Sequence, residues 1–291
     1  MNRNGKVIVG LMGGLGNQLF QYAAARALSV KLNSHLVIDL SWFLGDYGRK
    51  YCLDGFNLPV LYSNRCEIPL FGFGRFVRRL LKELLRKRLG ASIYEEPFFH
   101  YDDNFRDIKD SVYLKGYFQS PKYFSGFEDQ LRADLKFPSD YPEKLKPILK
   151  RVNESDAIAI HIRRGDYLAS KNNIDRYHSQ SNQYYFEAVS LLSKSLKNPY
   201  CFIFSDDHSW VKANLSFDIP CEIVDINSMD EPFWDLMLMS RCKHFVIANS
   251  SFSWWAAWLS DNSEKMVIAP KKWFKSDESI DDLLPIDWVR L

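Results

Sequence analysis

Apolar runs that end on polar or glycine-rich turns alternate with amphipathic stretches along most of this chain. Lys6 to Met12 reads as a strand. Gly13-Gly14-Leu15-Gly16-Asn17-Gln18 then opens a helix through about Leu32, and His35 to Leu40 forms a second strand ending near Asp39, a βαβ beginning. Residues 41–150 divide less cleanly. Arg75 to Leu89 has the spacing of an amphipathic helix, with Phe76, Val77, Leu80, Leu81, Leu84 and Leu85 on one face. Val112 to Leu114 is a short strand leading into Lys115-Gly116-Tyr117-Phe118-Gln119-Ser120-Pro121. Pro138, Pro142 and Pro147, set among charges, mark a boundary. Beyond it, strands from Ala157 to Ile162, Tyr200 to Phe204, Glu222 to Ile226, Phe245 to Ala248 and Met266 to Ala269 alternate with helical stretches near 183–197, 208–215, 231–241 and 252–260. This alternation predicts a five-stranded, doubly wound parallel α/β sheet. The chain thus divides into residues 1–150 and 151–291, each of ordinary domain size.

One strand carries the most information. Ala157-Ile158-Ala159-Ile160-His161-Ile162-Arg163-Arg164-Gly165-Asp166 is a run of buried-strand character that stops on two adjacent guanidiniums, a glycine and a carboxylate. Ligands of open α/β sheets bind beyond the carboxyl ends of the strands, so Arg163 and Arg164 sit where a ligand would. Their forks match phosphate oxygens in pairs and never lose their charge. A surface turn with two solvated arginines is the plainer alternative. The other strand ends carry Ser205-Asp206-Asp207, Asp225, Asn249-Ser250-Ser251-Phe252-Ser253 and Pro270-Lys271-Lys272, and all five ends of a parallel sheet share one rim. Asn249 to Ser253 opens a helix, where backbone amides and the helix dipole favour an anion, although Asn and Ser are also ordinary N-caps. Asp206 and Asp207 suit a metal, a nucleobase or a sugar, or capping of the helix that follows. His161 faces the same rim, as a ligand contact or a satisfied structural histidine. Trp254, Trp255 and Trp258 have a helical spacing that reads as core.

Composition narrows the classes. With 46% hydrophobic and 25% charged residues the chain is of globular type, and a net charge of +2 carries no global nucleic-acid signature. Basicity is concentrated instead: Arg75, Arg78, Arg79, Lys82, Arg86, Lys87 and Arg88 stand against Glu83 alone, as a solvated face or a surface for anionic lipid. Five cysteines without a C-x-x-C fit neither a disulfide framework nor a zinc site, and predict a reducing, cytoplasmic compartment. The histidines are scattered and no D-x-D occurs, so no metal site is predicted. The apolar run after Arg3 and Lys6 is broken by glycines and amides, unlike a secretory signal, and no apolar stretch reaches membrane-spanning length.

The turn from Gly13 to Gln18 imitates a dinucleotide fingerprint. Gly14-x-Gly16 follows a strand, opens a helix and precedes Asp39 at roughly the offset of a ribose-binding acid, so an NAD-dependent oxidoreductase is a distinct alternative. Against it, Leu19 stands where the fingerprint has Gly or Ala.

Taken in order, Gly13-Gly14-Leu15-Gly16-Asn17-Gln18 with Phe20-Gln21-Tyr22, Gly116 to Phe124, His161-Ile162-Arg163-Arg164-Gly165-Asp166-Tyr167, Phe204-Ser205-Asp206-Asp207 and Ala248 to Ala256 resemble the motif series of the α-1,2-fucosyltransferases, glycosyltransferase family 11. The resemblance spans residues 13 to about 274. It implies a GT-B-type α/β fold, with two Rossmann-like domains facing a cleft, 1–150 mainly on the acceptor side and 151–291 binding a GDP-sugar. It also implies inverting transfer of L-fucose from GDP-β-L-fucose to the 2-hydroxyl of a β-galactoside, without cofactor or required metal. The acceptor would be a glycan such as a bacterial O-antigen or similar polysaccharide. By motif position Arg163 and Arg164 hold the diphosphate, and Asn249, Ser250, Ser251 and Ser253 add phosphate contacts. Asp206 and Asp207 contact guanine or ribose, His161 and Asp166 belong to the donor site, and Gly14, Gly16, Asn17 and Gln18 close over the donor. Related GDP-fucose enzymes with an H-x-R-R motif include members with a glutamate shortly beyond it, where this chain has Ala169, Ser170 and Lys171. Asp39 is then the candidate base, with solvent or the departing phosphate as alternatives. On this reading the basic helix holds the enzyme at the inner face of the membrane, where lipid-linked glycans are assembled.

Overall fold

The computed structural model describes residues 5–45, 47–63, 90–97, 99–165, 178–226, 231–276 and 279–291. The predicted helix from Arg75 to Leu89, Asp166, and the positions of Ala169, Ser170 and Lys171 lie outside the described residues. The chain forms two compact units, Met1–Phe137 with Asp281–Leu283, and Pro138–Ile280 with Leu284–Leu291.

In the first unit β1 (Lys6–Gly10), β2 (His35–Asp39), β3 (Leu61–Ser63), β4 (Ser92–Glu95) and β5 (Val112–Lys115) form one sheet in the order β3-β2-β1-β5-β4. Every pairing is parallel. Helix α1 (Leu15–Lys31) is buried along most of its length, and its run Ala23, Ala24, Ala25 and Ala27 gives it a slim surface against its neighbours. A helix this apolar is an interior helix rather than a surface one. It is pinned to α2 (Glu128–Asp134) by Asp134, whose carboxylate takes Tyr22 Oη at 2.9 Å and Arg26 Nε at 2.7 Å. The late segment Asp281–Leu283 joins this unit chemically as well: Asp282 ion-pairs with Lys122 and accepts the Tyr101 amide at 3.2 Å.

The second unit runs α3 (Lys146–Glu154), β6 (Asp156–Ile162), α4 (Asn182–Ser193), β7 (Pro199–Ser205), α5 (His208–Asn214), β8 (Cys221–Ile223), α6 (Pro232–Arg241), β9 (His244–Val246), α7 (Ser251–Leu259), β10 (Val267–Ala269) and β11 (Val289–Arg290). Its sheet order is β11-β10-β9-β6-β7-β8, again all parallel. Ile158, Ile160 and Ile162 pack with Tyr184, Ala188 and Leu192 of α4 on one face. By strand alternation Ala157, Ala159 and His161 face the other way. Trp254 and Trp255 of α7 are fully buried, with Trp258 and Trp288 close to them.

The division between units falls at 137/138, earlier than the 150/151 read from the prolines. The reason is α3. Pro147 starts that helix, a position that suits a residue lacking an N–H, and Ile148, Leu149 and Val152 are buried in the second unit. The prolines open the second unit instead of closing the first.

Candidate functional site

Each sheet has a point where strand order reverses, and the motif residues gather at both. In the first unit the reversal lies between β1 and β5. Two glutamines, both fully buried, build it. Gln21 accepts the Met12 amide at 3.0 Å beyond β1 and donates to the Gly116 carbonyl at 3.0 Å beyond β5. Gln18 donates to the carbonyls of Gly13 (2.9 Å) and Lys50 (2.8 Å) and accepts the Cys52 amide at 2.9 Å. Its amide is thereby spent on the protein, and Gln18 shapes the turn where a donor contact was expected. Gln119 Nε2 donates to Asn17 Oδ1 at 2.6 Å, so the two motifs of this rim interlock.

The glycine that the turn requires is Gly13, at φ +78° with Asn17 packed where a side chain would be. Gly14 has ordinary φ and open space where a Cβ would be, and caps α1 without a side-chain hydrogen bond. Gly16 lies buried within the first turn of α1. α1 therefore starts without a side-chain cap, with the Asn17 and Gln18 amides bonded to the Gly14 carbonyl.

Asp39, the expected base, is 6% exposed and engaged at both oxygens, by the Tyr113 hydroxyl at 2.7 Å and the Ser41 amide at 2.8 Å. This makes it a buried structural carboxylate and argues against its taking a proton from an acceptor. The sequence reading overlooked Glu96, just beyond β4. Its Oε2 accepts the amides of Tyr117 (2.7 Å) and Phe118 (3.0 Å), and Phe118 is held at φ +53°. A Cβ on Gly116 would collide with Glu96, so the motif glycine and the carboxylate fit each other. Glu96 thus supports the turn that carries Gln119.

Desolvation pushes the Glu96 carboxyl up to about 7 despite those amide hydrogen bonds, with Tyr94, Asp102 and Tyr123 also around it. The consequence for stability has a definite sign. The unfolded chain releases this proton near the ordinary 4.5 and the folded chain only near 7, so stability falls as pH rises through that window and is level above it. After allowance for partial exposure the loss is on the order of 2 kcal/mol. Denaturant unfolding at pH 5 and pH 8 should show parent protein losing that much more than Glu96→Gln; identical losses would dismiss the assignment.

In the second unit strand order reverses between β6 and β9. Arg163 and Arg164 leave β6 there, and Asn249 and Ser250 lead from β9 into α7. One segment after β7 positions both arginines. Asp206 Oδ1 accepts the amides of Arg164 (2.8 Å) and Gly165 (2.9 Å), while Oδ2 lies 3.3 Å from Arg163 Nε. The Asp206 side chain is 4% exposed. The Arg164 guanidinium lies over the Trp210 ring, 3.9 Å from its centroid. Asp207 caps α5, accepting the Trp210 amide at 3.0 Å. Asp206 therefore organises the arginine turn and Asp207 caps the next helix; in this structure both carboxylates have partners within the protein, beside the contacts to guanine or ribose that the motif implies.

The Asn249 to Ser253 set divides similarly. Asn249 donates to the Trp273 carbonyl at 2.7 Å, Ser250 caps α7 through the Phe252 amide at 3.3 Å, and fully buried Ser253 bonds the Ser250 carbonyl at 3.3 Å. Ser251 is half-buried in the first turn. The side chains of Asn249, Ser250 and Ser253 are engaged at the helix end, and its leading backbone amides are the groups a helix start offers to an anion. His161, 4% exposed, lies 5.6 Å from the Phe252 ring, beneath this end. Among the described residues no group of three or more His, Cys, Asp or Glu comes together as a metal site.

Two parallel α/β sheets, the second with paired arginines and a helix N-terminus at its reversal point, define an enzyme of the GT-B glycosyltransferase type. Residues 91–291 match the model of glycosyl transferase family 11, and the chain belongs to that family. It is 31% identical to the α-1,2-colitosyltransferase of Escherichia coli over 98% of both chains. To the O-antigen biosynthesis glycosyltransferase WbnK of Escherichia coli it is 29% identical, over 97% of this chain and 99% of that one. An arginine-to-lysine mutant of Arabidopsis thaliana FUT1 in complex with GDP shares the fold, with a TM-score of 0.56 at 14% identity over 95% of this chain and 73% of that one. The oxidoreductase alternative finds no support in the family or in these relatives. The Gly14-x-Gly16 likeness had a physical cause, since any strand-turn-helix needs a tight, open turn, but here the required glycine is Gly13.

Proposed function

We propose that this chain transfers L-fucose from GDP-β-L-fucose to the 2-hydroxyl of a β-galactoside with inversion. The observation that carries the reading is the pair Arg163 and Arg164, braced by Asp206 and Trp210 at the β6/β9 reversal against the start of α7. The acceptor oxygen attacks the anomeric carbon opposite GDP, the bond from that carbon to the phosphate oxygen breaks, and the diphosphate leaves with the electron pair. The carbon passes through an oxocarbenium-like state. Growing charge on the leaving group is met by two guanidiniums and backbone amides that are already in place. The acceptor proton passes to solvent or the departing phosphate, since Asp39 is engaged internally.

The names of the relatives support the α-1,2 linkage and an O-antigen or similar polysaccharide as acceptor; they also make colitose the competing donor sugar. We place the reaction in the cytoplasm, with the Arg75 to Arg88 stretch as a contact to the inner membrane face. Among the described residues no helix is long and apolar enough to cross a membrane. Incubation with GDP-fucose or the corresponding colitose donor and a β-galactoside, with product linkage read by NMR, tests the reading. An α-1,2-fucosyl product is expected, and exclusive use of the colitose donor would replace it. Transfer should persist in excess EDTA, because the arginines occupy the role a metal would fill. Loss of activity restored by Mn²⁺ would overturn metal independence.

A further inference from the structure

The first unit carries an aromatic surface that neither reversal point uses. It begins just after β2 and ends on β3, on the rim that also bears the Gly13 turn. Trp42 stacks on Tyr47 with ring centroids 4.5 Å apart and planes 14° from parallel. Phe43 meets Trp42 edge-on at 5.1 Å and Tyr51 at 6.4 Å, and Tyr51 meets Tyr62 at 6.1 Å. The hydroxyls of Tyr51 and Tyr62 are 3.0 Å apart. Despite these contacts the surface is open, with Tyr47 52% and Tyr62 45% exposed. A Cβ on Gly45 would strike the Tyr47 ring, so this glycine lets Tyr47 fold back onto Trp42.

We propose that Trp42, Tyr47, Tyr51 and Tyr62 form the saccharide subsite that receives the acceptor glycan. This rests on the reading of the chain as a transferase acting on a galactoside. Three observations select a sugar as occupant. The patch is aromatic with polar tips, so it offers flat apolar faces and a hydroxyl pair together, matching a pyranose that carries C–H hydrogens on its face and hydroxyls at its edge. The hydrogens at C3, C4 and C5 of a β-galactoside lie on one side of the ring, so stacking through that side leaves the 2-hydroxyl at the free edge, where transfer is proposed. The patch is also continuous with the candidate site: the buried Gln18 amide that shapes the Gly13 turn bonds Lys50 and Cys52, the two neighbours of Tyr51.

Tyr47→Ala/Tyr62→Ala in the full chain is the test, because both side chains are exposed and their removal leaves the fold intact; an unchanged melting temperature checks this. Saturation-transfer NMR with lactose and methyl β-D-galactoside should show contact in the parent and at least a fivefold weaker signal in the variant. In assays with GDP-fucose the acceptor KM should rise fivefold or more, while the dissociation constant for GDP stays within twofold of parent. Trp42→Phe, which keeps an aromatic face, should retain most of the saccharide signal. Equal saccharide signals and acceptor KM in parent and double variant would overturn the subsite. No saccharide contact in the parent would do so too, as would a change of oligomeric state in the variant with saccharide binding intact, which would assign the patch to a second copy. A parent that ignores GDP-fucose yet contacts lactose through these tyrosines would sink the donor reading and leave the subsite standing.

Discussion

Arg163→Ala and Arg164→Ala should each lower kcat by roughly a hundred- to thousandfold, the effect of removing one preorganised donor from a developing anion, about 2.7 to 4 kcal/mol. Charge on the diphosphate grows as the sugar departs, so the loss appears in kcat as well as in donor binding. The two substitutions differ in their surroundings. Without Arg163 the buried Asp206 carboxylate keeps its two amide donors but loses its cation. Without Arg164 the Trp210 ring is uncovered and no charge is stranded. Arg164→Ala should therefore fold as well as parent, and Arg163→Ala should melt lower. Lysine at either position keeps the charge but not the fork and recovers part of the rate. Steady-state kinetics on the folded variants with GDP-fucose and a β-galactoside decide the matter; near-parental kcat and KM in both would remove the chemical centre of the proposed function.

Asp206→Ala is expected to be nearly as damaging although this side chain is not assigned a contact to substrate. It holds the backbone on both sides of the Arg164–Gly165 peptide and the side chain of Arg163, so alanine leaves two amides unsatisfied and one guanidinium unbraced. A buried charge that loses its partner costs about 3 to 5 kcal/mol, and partial exposure of Arg163 puts this case near the lower end. Asp206→Asn retains an oxygen for the amides and should recover much of the melting temperature but little of the rate, because the Arg163 ion pair stays broken. That split between stability and kcat distinguishes positioning of the arginines from simple support of the fold. Full activity in Asp206→Asn would show that the ion pair has no part in the reaction.

The inner strands β6, β7, β9 and β10 of the second unit were legible because each is a short apolar run bounded by polar rim residues, and a strand buried on both faces needs that composition. The observed strands β6 to β10 begin and end within a few residues of the prediction. β11 escaped notice because two residues, Val289 and Arg290, carry no periodicity. β4 escaped for another reason: as an edge strand its residues from Ser92 to Glu95 are exposed or half-buried, so no apolar run announces it. The placement of Arg163 and Arg164 beyond β6, and of Asn249 and Ser250 before α7, could be read from position alone. The roles of the polar side chains could not. Asp39, Gln18, Asp206, Asp207 and Asn249 all look like ligand-facing groups from position alone, and only the structure shows their hydrogen bonds to backbone amides and carbonyls. Glu96 and Trp210 had no local signal, since each works through a partner 20 or more residues away in sequence.

The segment Asp281–Leu283 has a practical consequence for protein engineering. A chimera that swaps everything beyond a single cut at 137/138 would import a foreign residue at position 282. The Lys122 ammonium and the Tyr101 amide would then lose the carboxylate they share. Exchange of the second unit within this family therefore needs three junctions, at 137/138, 280/281 and 283/284, with residues 281–283 travelling with the N-terminal parent, and a fragment ending at Phe137 is an incomplete domain whatever its length.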